Sequence, residues 1–156
     1  MLYTFGYEGL TIESFINRLK ETGVKTIIDV RELPLSRKKG FSKKSFAANL
    51  HAAGIAYAHM PALGCPKPIR NAYKLNSSWS EYTKEFNAYL ATQTSAIKEL
   101  SKISHSTSAC LICFEADFNL CHRSLIARAC QNLDGVKVSH ITAKTMIAEL
   151  PVRVAA

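Results

Sequence analysis

The sequence has no long apolar run, no recognisable leader and no cysteine framework. No stretch approaches the roughly 20 apolar residues that a membrane helix needs. The opening residues, MLYTFGYEGL, carry no basic segment and no small-residue cleavage site, so no signal peptide is expected. The five cysteines are an odd number without regular spacing, which favours free thiols in a reducing compartment. We therefore expect a cytoplasmic protein without a membrane partner.

Repeats, low-complexity tracts and linker-like segments are also absent. A chain of 156 residues has the size of one ordinary domain. Its composition, 47% hydrophobic and 21% charged, is ordinary for a globular protein. We therefore expect a single domain over residues 1–156.

The positive charge is concentrated in one part of the chain, residues 31–74, called here the basic band. The net charge is +8, and the band supplies all of it, with nine basic residues against one acid, Glu32. Such a band indicates an anionic partner, nucleic acid or a nucleotide foremost, although a solvated loop region has the same composition. The candidate nucleic-acid contacts in the band are Lys38, Lys39, Lys43, Lys44, Lys67 and Arg70.

Short apolar runs alternate with amphipathic stretches along the chain. This alternation predicts an α/β fold with a mostly parallel five-stranded sheet and helices on both faces, a Rossmann-like three-layer arrangement. A Pro-rich loop is expected after residue 60. The predicted strands are 2–5, 25–30, 55–60, 108–114 and 136–141, and the predicted helices are 12–22, 42–53, 80–104, 121–133 and 143–149.

Polar and reactive residues follow the ends of the predicted strands. In parallel sheets the ligand crevice lies outside the carboxyl ends of the strands, so these residues are expected to meet along one edge. The convergence predicts a binding or catalytic site there. The residues concerned are Tyr7, Glu8, Asp29, Arg31, Arg37, His59, Glu115, Asp117, Cys121, His122, Arg123 and His140.

The segment CFEADFNLCHRSLIARAC, residues 113–130, carries the densest group of such residues. If Asn119 caps the following helix, Cys121, His122 and Arg123 occupy its first turn. Free backbone N–H groups and the helix dipole favour an anion there, and Arg123 adds a planar fork for phosphate or carboxylate. The same environment should acidify the Cys121 thiol.

Several roles stay open for these residues. Cys121 is a nucleophile, an orienting group or a small apolar residue closing the helix start. Glu115 is a general base or a partner of Arg123. The candidate catalytic residues are Cys121, His122, Glu115 and Asp29, and the candidate anion-binding residues are Arg31, Arg37, Arg123, Ser124, Tyr7 and Glu8.

The remaining four cysteines differ in their expected exposure. Cys110, Cys113 and Cys130 fall on buried positions, and Cys65 falls on an exposed loop. Cys110 and Cys113 face opposite sides of a strand and do not chelate one ion. Cys113, Cys121 and His122 could in principle meet a metal, yet their spacing matches no zinc pattern, so neither a metal nor another cofactor is expected.

Four motifs together resemble the domain of unknown function 488 family. They are GYEGL, IDVRELPLSRKKGFSKKSF, GIAYAHMPALG and CFEADFNLCHRSLIA, and they span nearly the whole chain. The resemblance implies a compact α/β domain and supplies no settled activity. Tyr7-Glu8 stands where many members have His-Ser. The family's hallmark residues correspond here to Asp29, Arg31, Pro34, Arg37, Cys113, Glu115, Cys121, His122 and Arg123.

A weaker similarity links the segment IIDVRE and the late Arg-Ser to rhodaneses and thiol phosphatases. Those enzymes place the nucleophilic cysteine six positions before the arginine, so that the loop wraps the anion. Here Cys113 lies ten positions before Arg123 and Cys121 lies two before it, and neither spacing builds that loop.

The sequence as a whole favours an enzyme that acts on a phosphate-bearing substrate, a nucleotide or nucleic acid. The alternatives are a non-catalytic nucleic-acid-binding module that uses the basic band, and cysteine chemistry of the rhodanese or thiol-phosphatase kind. The expected partner in each case is an anionic ligand.

Overall fold

The computed structural model describes residues 1–151. Within that range, six strands form one sheet and six α-helices surround it. The last five residues of the expected domain lie outside the described range. The strands are β1 (Leu2–Gly6), β2 (Thr26–Asp29), β3 (Ala56–His59), β4 (Ala109–Cys113), β5 (Val138–Ile141) and β6 (Met146–Ala148). The helices are α1 (Ile12–Thr22), α2 (Lys43–Ala52), α3 (Lys67–Asn76), α4 (Trp79–Ala91), α5 (Thr94–Ser106) and α6 (His122–Asp134).

The strand order in the sheet is β3-β2-β4-β1-β5-β6. The first five are parallel to one another, and β6 runs antiparallel to β5. Gly6 is aligned with Cys113, and Asp29 is aligned with both Ile112 and His59, so four strands end at one edge. The predicted α/β class is confirmed, with six strands in place of five.

Helices cover both faces of the sheet, as the pattern predicted. Helices α1 and α2 pack on one face, where Phe15 and Phe46 contact the strands. Helices α4, α5 and α6 pack on the other face through residues such as Phe86, Leu100 and Ile126. The continuously buried strand β4 lies between these two cores, which explains its unbroken apolar sequence.

The helix predicted over residues 143–149 is wrong. The chain turns back after β5, where the Thr142 hydroxyl accepts a hydrogen bond from the Thr145 amide at 2.9 Å. The following residues form β6, which pairs with the edge of β5. All three β6 residues are exposed, so no buried face was present to support a helix.

Two other helices differ from the prediction. The segment 80–104 forms two helices, α4 and α5, which are separated by Thr92 and Gln93. Helix α3 begins inside the expected Pro-rich loop, MPALGCPKPIR, and continues beyond it. Its prolines, Pro66 and Pro68, occupy the N-cap and the first turn, where a missing N–H costs no helical hydrogen bond.

None of the helices within residues 1–151 is long and apolar enough to cross a membrane.

Candidate active site

A pocket of about 420 Å³ opens at the carboxyl ends of β1, β2 and β4. Three kinds of side chain line it. Its floor holds a group called here the reactive cluster, its rim carries cationic side chains, and its far wall is aromatic. The reactive cluster is Cys113, Glu115, Cys121 and His122, the cationic residues are Arg31, Arg70 and Lys74, and the aromatic wall is Tyr73, Trp79 and Tyr82.

Cys121 lies at the centre of the reactive cluster. Its Sγ is 3.4 Å from Glu115 Oε2 and 3.7 Å from His122 Nδ1. Cys121 is itself the N-cap residue of α6, so the predicted cap at Asn119 is wrong. Asn119 instead lies in a short 3-10 turn whose start is capped by the Asp117 carboxylate.

The imidazole of His122 is held in one orientation. Its Nε2 is 2.8 Å from the Val30 carbonyl oxygen, and a carbonyl only accepts, so Nε2 carries the proton. Nδ1 is then unprotonated, and its lone pair faces Cys121. Burial lowers the pKa of His122, which keeps the ring neutral near pH 7.

The sulfurs of Cys113 and Cys121 are in direct contact, although their Cα atoms are 7.9 Å apart. Five independent thiols were expected, and the structure instead brings two of them together. The other three cysteines are unpaired and buried. Cys65, expected on an exposed loop, is only 3% exposed, because it belongs to the apolar core that also includes Leu63 and Tyr82.

Arg123 lies in the interior and does not line the pocket. Its guanidinium donates to the carbonyl oxygens of Glu115 and Ala116 and to Cys113 Sγ, the last at 3.0 Å. Its Nε donates to Thr4 Oγ1 at 3.3 Å. Burial lowers the pKa of Arg123 to about 10. The geometry therefore gives Arg123 the role of holding the loop after β4.

Asp29 lies behind the pocket and is fully buried. Both of its carboxylate oxygens accept from Arg31, at 2.9 and 2.8 Å, and Tyr57 donates to it at 2.6 Å. Burial alone would lower the pKa of Arg31, but the hydrogen bond and charge of Asp29 raise it. Burial, together with Asp29, raises the pKa of Tyr57 well above its ordinary value. This arrangement positions Arg31 at the pocket and leaves Asp29 no contact with a ligand there.

The other predicted site residues are placed as follows. Tyr7 lines the pocket and accepts a hydrogen bond from Arg31 at 3.2 Å. Glu8 accepts from the Ala116 amide at 3.0 Å, and Ser124 donates to the carbonyl oxygens of Phe118 and Cys121, which precede its helix. Arg37 is exposed and does not line the pocket.

Two of the three predicted histidines, His59 and His140, do not line the pocket. His59 Nε2 is 2.7 Å from the Arg31 carbonyl oxygen. His140 is stacked on Phe118, with ring centroids 4.0 Å apart.

The aromatic wall was not predicted from the sequence. Trp79 and Tyr82 are stacked at 4.7 Å, and Tyr73 meets Trp79 edge-on at 5.9 Å. Tyr73 belongs to α3, a helix that was not among the predicted elements. The sequence contained one sign of this wall, because large aromatic residues recur at positions 73, 79 and 82, across the junction of α3 and α4.

Two cationic side chains stand beside this wall. Arg70 and Lys74 are one helical turn apart on α3 and both line the pocket. Arg70 is paired with Glu32 at 3.4 Å, and both side chains are about one-third exposed. Lys74 is exposed. The pocket thus combines aromatic faces with cationic side chains, of which Lys74 has no carboxylate partner within residues 1–151.

The fold and this site define a class: an α/β protein with a pocket at the sheet edge, floored by cysteine, histidine and glutamate. The chain belongs to the family described as Domain of unknown function DUF488, whose model matches residues 11–130. The expected family is therefore confirmed, and the match includes the whole reactive cluster. No curated protein and no solved structure matches the chain.

Proposed function

We propose that this protein is an enzyme that acts on a nucleotide or on a nucleotide unit of nucleic acid in the pocket. The observation that supports the proposal is the composition of the pocket. One cavity of about 420 Å³, within the usual size for ligand sites, joins an aromatic wall, cationic side chains and the reactive cluster. Each of the three suits a different part of a nucleotide and its chemistry.

The aromatic wall suits a nucleobase. Base stacking on an aromatic side chain contributes about 1–3 kcal/mol for each base. Trp79 and Tyr73 are only partly buried, so surface remains on them for a ligand. Their cationic neighbours Arg70 and Lys74 suit the phosphate, because a guanidinium and an ammonium bind phosphate oxygens by charge-assisted hydrogen bonds.

The reactive cluster supplies the chemistry. The Glu115 carboxylate is exposed to the pocket and is the group placed to move a proton. Cys121 and His122 form the reactive centre beside it. Arg123 and Asp29 act as positioning residues, since Arg123 holds the loop that carries Glu115 and Asp29 holds Arg31.

Binding of a longer nucleic acid is supported by a separate observation. Arg37, Lys39, Lys43, Lys44 and Lys67 are all exposed, and none pairs with a carboxylate within residues 1–151. Unpaired exposed cations suit a phosphate backbone, whose neutralisation releases counterions. In this arrangement the basic band holds the strand while one nucleotide enters the pocket.

A cytoplasmic location fits the cysteines. Cys65, Cys110 and Cys130 are buried as free thiols. Unpaired cysteines of this kind are ordinary in a reducing compartment.

Trp79 offers a direct test, because it is the chain's single tryptophan and lines the pocket. We expect nucleoside phosphates and short DNA or RNA strands to quench its fluorescence saturably at low salt. Arg70→Gln and Lys74→Gln should each weaken this binding about tenfold, the effect of losing one charge-assisted contact. Lys98→Gln, an exposed lysine on α5, is the charge-matched control. Absence of quenching by every nucleotide and oligonucleotide would refute the proposal.

Turnover is tested with the ligand that binds best. Products are sought by mass spectrometry after incubation with the protein. Glu115→Gln should reduce turnover by at least about 100-fold, the scale of general acid–base catalysis, and leave the Trp79 quenching unchanged. If binding occurs without any product under all conditions, the protein is a binding module and the enzyme proposal fails.

A further inference from the structure

The geometry points to a zinc site at Cys113, Cys121 and His122. One ligand atom from each residue lies within 4.8 Å of the others, and all three residues are buried. Their spacing in the sequence argued against a metal, but the structure brings the end of β4 and the start of α6 to one point. The inference deepens the proposed function, because the site lies on the floor of the same pocket, although zinc binding itself needs no substrate.

The donor set suits zinc. Zn²⁺ is bound by thiolate sulfur and imidazole nitrogen, and two cysteines with one histidine leave a fourth position open for water or substrate. His122 presents Nδ1 to Cys121, and its Nε2 donates to the Val30 carbonyl at 2.8 Å. A metal-binding histidine ordinarily donates its other ring N–H in this way, which fixes the ring and its tautomer.

The backbone separation also suits a shared ion. The Cα atoms of Cys113 and Cys121 are 7.9 Å apart. Ordinary disulfides span about 4.4–6.8 Å, and a wider pair closes only with backbone movement. A tetrahedral zinc ion with Zn–S bonds of about 2.3 Å holds two sulfurs about 3.8 Å apart, so two cysteines that share it need less close approach of their sulfurs than a disulfide does.

Surrounding groups stabilise thiolates at this point. Arg123 donates to Cys113 Sγ at 3.0 Å, and its buried guanidinium has no carboxylate partner within residues 1–151. A thiolate supplies the negative charge that this cation otherwise lacks. Cys121 is the N-cap residue of α6, where the helix dipole favours an anionic sulfur.

The open fourth position has a functional neighbour. Glu115 Oε2 is 3.4 Å from Cys121 Sγ, and both residues line the pocket. A water bound to zinc is acidified, and a carboxylate beside it is placed to accept the released proton. Cys121 and His122 would then act as metal ligands, and Glu115 would act as the base.

Metal titration of the reduced protein, first stripped with a chelator, tests the inference. We expect one Zn²⁺ per chain, and Co²⁺ in its place should give thiolate-to-cobalt charge-transfer absorption and the intense visible bands of a tetrahedral ion. Cys113→Ser, Cys121→Ser and His122→Ala should each lose these signals. Cys65→Ser, at a cysteine that lines the same pocket, should keep them.

A measurement on the unmodified protein tests the inference even where a variant fails to fold. Zn²⁺ should protect Cys113 and Cys121 from alkylation, as mapped by mass spectrometry, and should raise the melting temperature. Failure of the reduced protein to bind zinc or to show this protection overturns the inference, as does equal zinc binding by Cys121→Ser. Trp79 quenching by nucleotides is read separately, so a failed zinc site leaves the proposed substrate class standing.

Discussion

Two buried arginines are stabilised by different partners. Arg31 is neutralised by the carboxylate of Asp29, which it contacts with two nitrogens. Arg123 is fully buried and is surrounded by carbonyl oxygens, a hydroxyl and the sulfur of Cys113. The charge of Arg31 is therefore balanced inside the protein. Arg123 has no carboxylate in contact within residues 1–151 and is held by neutral oxygen acceptors and by the sulfur of Cys113.

The Asp29–Arg31 pair should contribute strongly to folding. Asp29→Asn leaves the Arg31 guanidinium buried without its carboxylate, and removing one partner of a buried ion pair typically costs about 3–5 kcal/mol. We expect a loss of about 3 kcal/mol in the free energy of unfolding, measured by urea denaturation. Glu21→Gln breaks the exposed pair with Arg18 and should cost no more than about 0.5 kcal/mol. Equal losses in the two variants would contradict this role for Asp29.

His140 should make stability depend on pH. Burial lowers the pKa of His140, as do Arg123 and Arg128, while the hydrogen bond to Glu149 at 2.8 Å opposes the shift. Since the unfolded histidine takes up its proton first, near pH 6.5, stability is fully present above that pH and is lost as the pH falls through the folded pKa. The free energy of unfolding should therefore decrease on acidification below about pH 6.5.

Two variants separate this effect from general acid denaturation. His140→Gln removes the titrating ring and should flatten the decrease between about pH 6.5 and 5, the range in which a histidine titrates. His51→Gln, at an exposed position near the end of α2, should keep the wild-type dependence. An unchanged slope in His140→Gln would show that other groups govern the pH response.

At the scale of helices and strands, the sequence predicted the sheet better than its connections. Strands β1 to β5 and helices α1, α2 and α6 follow from periodicity and from caps such as Thr11 and Gly23, both of which are observed. Helix α3 was missed because it buries no residue and begins with prolines. Strand β6 was missed because its three exposed residues are stabilised only by pairing with β5, which no local pattern reveals.

The candidate site was likewise predictable where it depends on the order of the strands, and hidden where it depends on how the helices pack. In a parallel sheet the carboxyl ends of the strands meet at one edge. Glu115, Cys121 and His122 were predicted to meet for this reason. The aromatic wall depends on how α3 packs against α4, and this is decided by tertiary contact. The inward direction of Arg123 was also hidden, because a sequence does not show which side of a helix start faces the core.

Close approach of β1 to the loop after β4 should make Gly6 indispensable to the site. A Cβ at this position would overlap the Glu115 carbonyl, so Gly6→Ala must displace that loop. We expect a loss of about 1–3 kcal/mol in stability, as for other overpacking changes, together with weaker ligand binding in the Trp79 assay. Gly135→Ala strains a left-handed residue with open space around it and should cost stability alone. Ligand binding by Gly6→Ala at the wild-type level would contradict the link between this close approach and the site.

At the scale of the whole molecule, the charge distribution and the pocket belong to one region. The basic band includes β3, α2 and most of α3, and it supplies the pocket residues Arg31, Arg70 and Lys74. The remainder of the chain carries equal numbers of acidic and basic residues. The band would therefore attract the proposed anionic partner toward the pocket that holds the reactive cluster.

The salt dependence of nucleic-acid binding tests this arrangement. Replacing Lys39, Lys43 and Lys44 with glutamine should reduce the slope of log K against log salt by about 2–3, because each lost phosphate contact contributes about 0.7–0.9. The control replaces Lys84, Lys98 and Lys102, which are exposed on α4 and α5. A slope that changes equally in both variants would indicate nonspecific attraction by net charge.

Helix α3 supplies one wall of the pocket and yet buries none of its residues, and its Leu75 is 91% exposed. Local opening costs least where few apolar contacts must be broken. The amide hydrogens of α3 should therefore exchange with deuterium much faster than those of α6, which has seven buried residues. A nucleotide held against Tyr73 and Arg70 would add contacts to this helix and so make its local opening rarer. Slower exchange confined to α3 on adding ligand would identify the helix as the entrance to the pocket.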